Sequence, residues 1–101
     1  MLALRPNCER CDVDLPPDAA HARICSYECT FCQPCVEVLE NVCPNCGGGF
    51  VPRPIRPRQA WRPTTGLVHD PPDTQRRRMS YSDEDVAALT AVLRSVPPDA
   101  R

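Results

Sequence analysis

All eight cysteines lie between Cys8 and Cys46 as four close pairs, Cys8/Cys11, Cys25/Cys29, Cys32/Cys35 and Cys43/Cys46. Three pairs read C-x2-C and one reads C-x3-C. At these spacings two thiolates from one tight turn reach the same tetrahedral ion, at about 2.3 Å per Zn–S bond. Four such pairs fill two closed four-thiolate sites, so the expected cofactors are two Zn2+ ions.

In a secreted chain the same cysteine density would mean a disulfide framework. Here Met1-Leu2-Ala3-Leu4 runs at once into Arg5, Pro6, Asn7 and Cys8. A secretory signal needs an apolar stretch of about 7–15 residues, and no membrane-spanning run follows either. The expectation is a cytoplasmic chain whose thiols stay reduced and go to metal.

Residues 1 to 50 hold three Arg against seven Asp/Glu, a net charge of -4; residues 51 to 78 carry +5 and residues 79 to 101 carry -2. Eight bound thiolates and two zinc ions take the first segment to about -8. Such a module by itself repels nucleic acid. A stretch of about 50 residues is at the lower edge of what apolar burial can stabilise. Structural zinc contributes on the order of 10–16 kcal/mol in small finger peptides, so an unfolded apo state is expected. All 12 basic residues are Arg, which leaves the N-terminal amine as the one primary amine.

Leu2 to Leu4 alternates apolar residues and predicts a short strand into the first cysteine turn. Asp12, Asp14, Pro16, Pro17 and Asp18 make 12 to 21 a loop. Ala22 to Tyr27 reads as a strand entering the second pair, with Phe31 and Tyr27 expected to pack between the metals. Val36, Leu39 and Val42 recur at helical spacing and predict one or two helical turns over 36 to 42. Cys43-Pro44-Asn45-Cys46-Gly47-Gly48 is then a tight metal-binding turn, and Phe50-Val51 returns as a strand.

From Pro52 the prolines at 52, 54, 57 and 63 alternate with Arg53, Arg56, Arg58 and Arg62. That composition predicts an extended or disordered linker over 52 to 79. Trp61, the lone tryptophan, is expected either to meet a base or a partner's pocket or to dock back on the module. Ser82 is an N-cap residue, followed by Asp83, Glu84 and Asp85 at the positive end of a helix dipole. Val86, Leu89, Leu93 and Val96 form an apolar stripe that Pro97-Pro98 stops, predicting an amphipathic helix over 83 to 96. Such a helix is marginal alone and is expected to pack on the module, pair with another copy or fold on a partner. The domain reading is a module at 1 to 51, a linker at 52 to 79, and a helix with its tail at 80 to 101.

Crowding of Cys25, Cys29, Cys32 and Cys35 disfavours one ion held by those four, and the spacing leaves sequential and interleaved pairings both open. The pattern C-x2-C-x13-C-x3-C-x2-C-x2-C-x7-C-x2-C over 8 to 46 resembles the ligand spacing of RING-type fingers, which interleave their pairs. The resemblance implies one site of Cys8, Cys11, Cys32 and Cys35 and another of Cys25, Cys29, Cys43 and Cys46. The fold it implies is a small metal-stabilised α+β module with short strands and one short helix. A closer resemblance is to a small bacterial family labelled domain of unknown function 1272. It rests on Leu4-Arg5-Pro6-Asn7-Cys8, Leu15-Pro16-Pro17, Ala22-Arg23-Ile24-Cys25, Glu28-Cys29-Thr30-Phe31-Cys32 and Val42-Cys43-Pro44-Asn45-Cys46-Gly47-Gly48. That resemblance covers about residues 1 to 57 and implies no activity.

RING fingers that recruit ubiquitin-conjugating enzymes usually carry an apolar residue after the first ligand, an aromatic near the third pair and a basic residue after the last ligand. This chain has Glu9, no Trp in 36 to 42, and Gly47; it has Cys29 and Cys32 where a His ligand is common. The expectation is shared geometry without the ligase surface.

Closed four-cysteine sites leave no open position for catalysis. The leading expectation is a non-catalytic zinc module that mediates protein–protein contacts. One alternative is nucleic-acid binding through Arg53 to Arg62 and Arg76-Arg77-Arg78, with Trp61 stacking. Another is a zinc-thiolate redox sensor, because bound thiolates can be oxidised with release of metal. The candidate partner-binding residues are Trp61, Arg76, Arg77, Arg78, Leu89 and Leu93, with no membrane partner. His21 and His69 are isolated and read as surface residues.

Overall fold

The fold is built outward from a short hairpin whose tip carries one cysteine pair. In the computed structural model, which describes residues 1–101, Ala22–Ile24 (β1) and Thr30–Cys32 (β2) pair antiparallel with Arg23 opposite Phe31. Cys25 to Cys29 form the loop between them. Glu28 turns it with φ +64. Its N–H donates to the Cys25 carbonyl at 3.0 Å, while the Cys25 N–H donates to the Cys29 carbonyl at 3.2 Å. Val51–Pro52 (β3) pairs on the other side of β1, giving the order β2-β1-β3. Pro52 is tolerated there because β3 is an edge strand.

The free edge of β2 is closed by the first cysteine turn. The Glu9 N–H donates to the Thr30 carbonyl at 2.9 Å, and the Thr30 N–H donates to Glu9 Oε2 at 2.6 Å. Gln33–Val38 (α1) starts directly from β2, with Cys32 as its extended N-cap and Pro34 in the first turn. A proline fits there because the first helical N–H groups have no intrahelical acceptor. The helix lies earlier than the 36 to 42 expected. Glu40 and Asn41 take φ +50 and +59, a left-handed pair that ends the helix and turns the chain toward Cys43.

The core is small and sulfur-rich. Phe31, Leu4, Leu15, Leu39 and Val42 are fully buried beside Cys8 and Cys43, and Phe31 meets Phe50 edge-to-face at 5.3 Å. Tyr27, expected beside Phe31, is instead 74% exposed. It sits in the Cys25–Cys29 loop, at the tip of the hairpin. Leu4 is buried, but residues 2 to 4 do not form the expected strand. Beyond them the chain makes an isolated bridge, Asn7 to Asp14.

Residues 52–79 are not the disordered linker that their composition suggests. Arg53 is 4% exposed and donates to the carbonyls of Arg5, Leu15 and Pro16 at 2.9, 3.3 and 2.9 Å. Arg56 donates to the carbonyls of Leu2 and Asp70, both at 2.8 Å. Further along, the Asp73 N–H meets the Leu4 carbonyl and the Met79 N–H meets the Glu9 carbonyl, each at 3.0 Å. The segment is a strap, held by guanidinium and main-chain hydrogen bonds rather than by apolar burial.

Asp83–Leu93 (α2) starts as expected, with Ser82 Oγ accepting the Asp85 N–H at 3.1 Å. It ends at Leu93 rather than Val96. Val86, Leu89, Leu93 and Val96 are half-buried, and Val92 on the far side is 67% exposed. The helix packs on the module: Val86 lies against the core cluster, and Leu93 closes over Gly47. After the final 3-10 turn Pro98–Ala100, Arg101 donates to the carbonyls of Asn41 and Gly47, both at 2.9 Å. No helix is long and apolar enough to cross a membrane.

Candidate metal centre

Two of the four cysteine turns repeat one local design. In the first, the Asp12 N–H donates to the Cys8 carbonyl at 2.9 Å and the Cys8 N–H donates to the Val13 carbonyl at 2.9 Å. In the last, the Gly47 N–H donates to the Cys43 carbonyl at 2.7 Å and the Cys43 N–H donates to the Gly48 carbonyl at 2.8 Å. The residue after the second cysteine is left-handed in both, φ +66 at Asp12 and +79 at Gly47. Asp and Gly are among the residues that tolerate this conformation best. Such a turn points both sulfurs to one side of the chain.

Opposite the first turn stand Cys32, at the end of β2, and Cys35, in the first turn of α1. The sulfurs of Cys8, Cys11, Cys32 and Cys35 all lie within 4.8 Å of one another. The Cys11 and Cys32 sulfurs are 3.7 Å apart. A tetrahedron of sulfurs around one ion at about 2.3 Å has an edge of about 3.8 Å, so this donor set fits zinc.

The second group joins Cys25, Cys43 and Cys46, also within 4.8 Å of one another. Cys29 stands outside that close set. It stands across the hairpin loop from Cys25, its carbonyl accepting the Cys25 N–H at 3.2 Å. All eight cysteines are free; Cys11 and Cys46 are the exposed members, one in each group. Both groups are therefore sulfur clusters that could hold a metal ion, with members drawn from alternate pairs along the chain.

Crowded thiols without a cation compete for protons. The hydrogen bond from Cys43 pulls Cys29 down to about 5, against the opposing effect of burial and with help from the Asn45 side chain. Cys43 is pushed up by the same contact and by burial. Burial lifts Cys25 to about 11 and Cys32 to about 12. A divalent ion among these sulfurs supplies the positive charge that lets all of them ionise together.

Polar side chains around the sulfurs complete the arrangement. Arg10 Nη1 donates to Cys35 Sγ at 3.5 Å, and the Gly48 N–H donates to Cys46 Sγ at 3.4 Å. Glu9 is 5% exposed; besides the Thr30 N–H it accepts Asn45 Nδ2 at 3.2 Å. Burial pushes the Glu9 carboxyl above its usual range, and the Thr30 N–H opposes that shift. Because Asn45 lies between Cys43 and Cys46, Glu9 and Asn45 link the first cysteine turn to the second cluster. Sequence reasoning treated Glu9 as a departure from the RING pattern and missed this role. The available signal was its position between two ligands, where a carboxylate has to find donors once the turn is buried.

The residues proposed for partner contact are dispersed. Trp61 is 72% exposed and does not dock back. Arg76 pairs with Asp12 at 3.0 Å and Asp14 at 2.6 Å, and Arg78 lies 3.8 Å from Asp12. Arg77 is held by its backbone. Leu89 and Leu93 are half-buried under α2. His21 and His69 belong to neither sulfur group.

Residues 1–56 match the family described as Protein of unknown function (DUF1272). The chain belongs to that family. An uncharacterized protein of Rhizobium meliloti (strain 1021) is 64% identical over 58 residues, covering 56% of this chain and 69% of the relative. No solved structure matches. The DUF1272 region thus contains both sulfur clusters and β3, while α2 and most of the strap lie beyond it. Neither the family description nor the relative's name carries a catalytic function.

Proposed function

We propose that this DUF1272 protein is a non-catalytic zinc scaffold. Two Zn2+ ions, one held by Cys8, Cys11, Cys32 and Cys35 and one by Cys25, Cys29, Cys43 and Cys46, fold a module that contacts a protein partner in the cytoplasm. The observation that carries this reading is the first cluster, in which four sulfurs from three elements converge within 4.8 Å. A four-thiolate site is closed, so the ion acts on the fold rather than on a substrate. Support for a contact surface comes from the cleft of about 350 Å³ between α1 and α2, lined by Val38, Met79, Val86 and Ala87 with Arg10 and Arg94 at its rim. Val38 there is 59% exposed.

In-cell crosslinking followed by mass spectrometry tests the surface. Crosslinks that map to residues beside the cleft, and disappear in Val38→Asp, support it; a partner retained by Val38→Asp contradicts it. The redox-sensor reading draws on the exposure of Cys11 and Cys46, since an accessible thiolate is where peroxide attacks. A zinc-sensitive dye that reports ion release on mild peroxide treatment, reversed by a thiol reductant, is its test.

A further inference from the structure

Within the strap, residues 57–67 close on themselves. The Leu67 N–H donates to the Pro57 carbonyl at 2.8 Å, and inside that closure Thr65 Oγ1 donates to the Arg62 carbonyl at 2.7 Å. Gly66 has φ +80 and lies so tightly under Gln59 that an added Cβ would collide with its carbonyl. At the base of the loop Arg56 is fixed to Leu2 and Asp70. What this ordered loop holds out is Trp61, 72% exposed. An indole kept in water on a pre-ordered loop retains area for a ligand to cover, with little conformational entropy left to lose.

The neighbours of Trp61 define that ligand. No Asp or Glu occurs from Arg53 to His69. Arg53 and Arg56 face inward onto carbonyls. Arg58 and Arg62 are exposed and in no ion pair, and Arg62 Nη1 reaches only the carbonyl of Trp61, at 3.1 Å. The loop therefore exposes one indole together with two guanidinium groups that have no carboxylate partner. From Pro57 to Thr65 it has no second large apolar side chain; the exposed Ile55 and Val68 lie outside the closure, on either side of it in the chain.

We propose that the 57–67 loop is a binding site for single-stranded nucleic acid, with Trp61 stacking on a base and Arg58 and Arg62 contacting the flanking phosphates. A planar base beside phosphates engages all three side chains at once, and stacking tolerates any base because each has a π-face. A duplex hides those faces. The acids of the zinc module confine the contact to the loop, so the footprint is short and its affinity rests on these three residues. This site goes beyond the protein-contact reading and does not depend on it.

Trp61 is the only tryptophan, so intrinsic fluorescence reads this loop alone. Titrating an oligothymidylate single strand into the full zinc-loaded chain at low salt quenches Trp61. Affinity falls with the logarithm of salt concentration at a slope of about -1.4, two phosphates at about -0.7 each. Trp61→Ala lowers affinity for a labelled strand by about tenfold or more, and Trp61→Phe retains part of it. Arg58→Gln and Arg62→Gln each flatten the slope by about 0.7. These substitutions change exposed side chains, so unchanged metal content certifies the fold of each variant. Absence of quenching, or a strand bound equally by Trp61→Ala, overturns the proposal. Equal quenching by poly-glutamate at the same charge concentration also overturns it, and assigns the loop to acidic protein surfaces.

Discussion

The Asn7 carboxamide grips the backbone of Arg77 across a sequence separation of 70, donating to its carbonyl at 2.8 Å and accepting its N–H at 3.2 Å. Asn7 is 0% exposed and donates a further bond to Asp12 Oδ1 at 2.9 Å. One side chain thus fixes the strap to the first cysteine turn. Asn7→Ala leaves buried polar groups without partners, at about 1–3 kcal/mol. Hydrogen exchange over residues 73–79 is expected to accelerate in this variant while both sulfur clusters keep their metal.

Glu9 sits between the two clusters, so its loss is felt in both. Glu9→Ala strips the Thr30 N–H of its short carboxylate bond and leaves Asn45 unpaired. Destabilisation of about 1–3 kcal/mol is expected from the unsatisfied buried donors. Chelator-driven unfolding checks it: metal leaves both sites at lower chelator concentration, rather than leaving one site alone.

Arg10 acts on one cluster only. Its guanidinium bonds the Cys35 sulfur at 3.5 Å, placing positive charge against an anionic four-thiolate centre. Outer hydrogen bonds of this kind are worth about 10–100-fold in metal affinity. In Arg10→Ala the Cys8, Cys11, Cys32 and Cys35 site is expected to weaken by that factor, with the other site unchanged, in competition titrations against a chromogenic chelator. Arg10→Lys restores part of the affinity.

Gly66→Ala tests the closed loop that carries Trp61. The position combines φ +80 with a close approach to Gln59, so a methyl group is strained in two ways. The Leu67 to Pro57 closure opens, and the fluorescence anisotropy of Trp61 is expected to fall. Metal content stays the same, because the loop contributes no ligand.

The cysteine spacing announced four metal-type thiol pairs but left sequential and interleaved pairings open; the interleaved membership came from the resemblance to RING-type fingers. The α2 start was equally plain, because Ser82 and three acids are local signals that need no tertiary context. The strap was not. Its Pro and Arg residues read as disorder because they offer little apolar area, whereas its order comes from Arg53, Arg56 and Asn7 reaching main-chain groups far away in sequence. Tyr27 shows the reverse error: an aromatic between two ligands was expected inside, yet the left-handed Glu28 turns that loop outward. Periodicity announced Leu93 as part of an apolar stripe, but not Gly47 as its seat, nor the bonds of Arg101 that hold the segment after α2.

Native mass spectrometry of the purified chain, repeated for Cys29→Ser and Cys32→Ser, tests the two-ion scaffold most directly. Two zinc ions per chain are expected, with each variant losing one and the metal-free chain unfolding. Cys29 is the sharper case, because the structure leaves it outside the close group of Cys25, Cys43 and Cys46. One metal with free thiols, or none with disulfides, would contradict the scaffold and bring thiol redox chemistry forward.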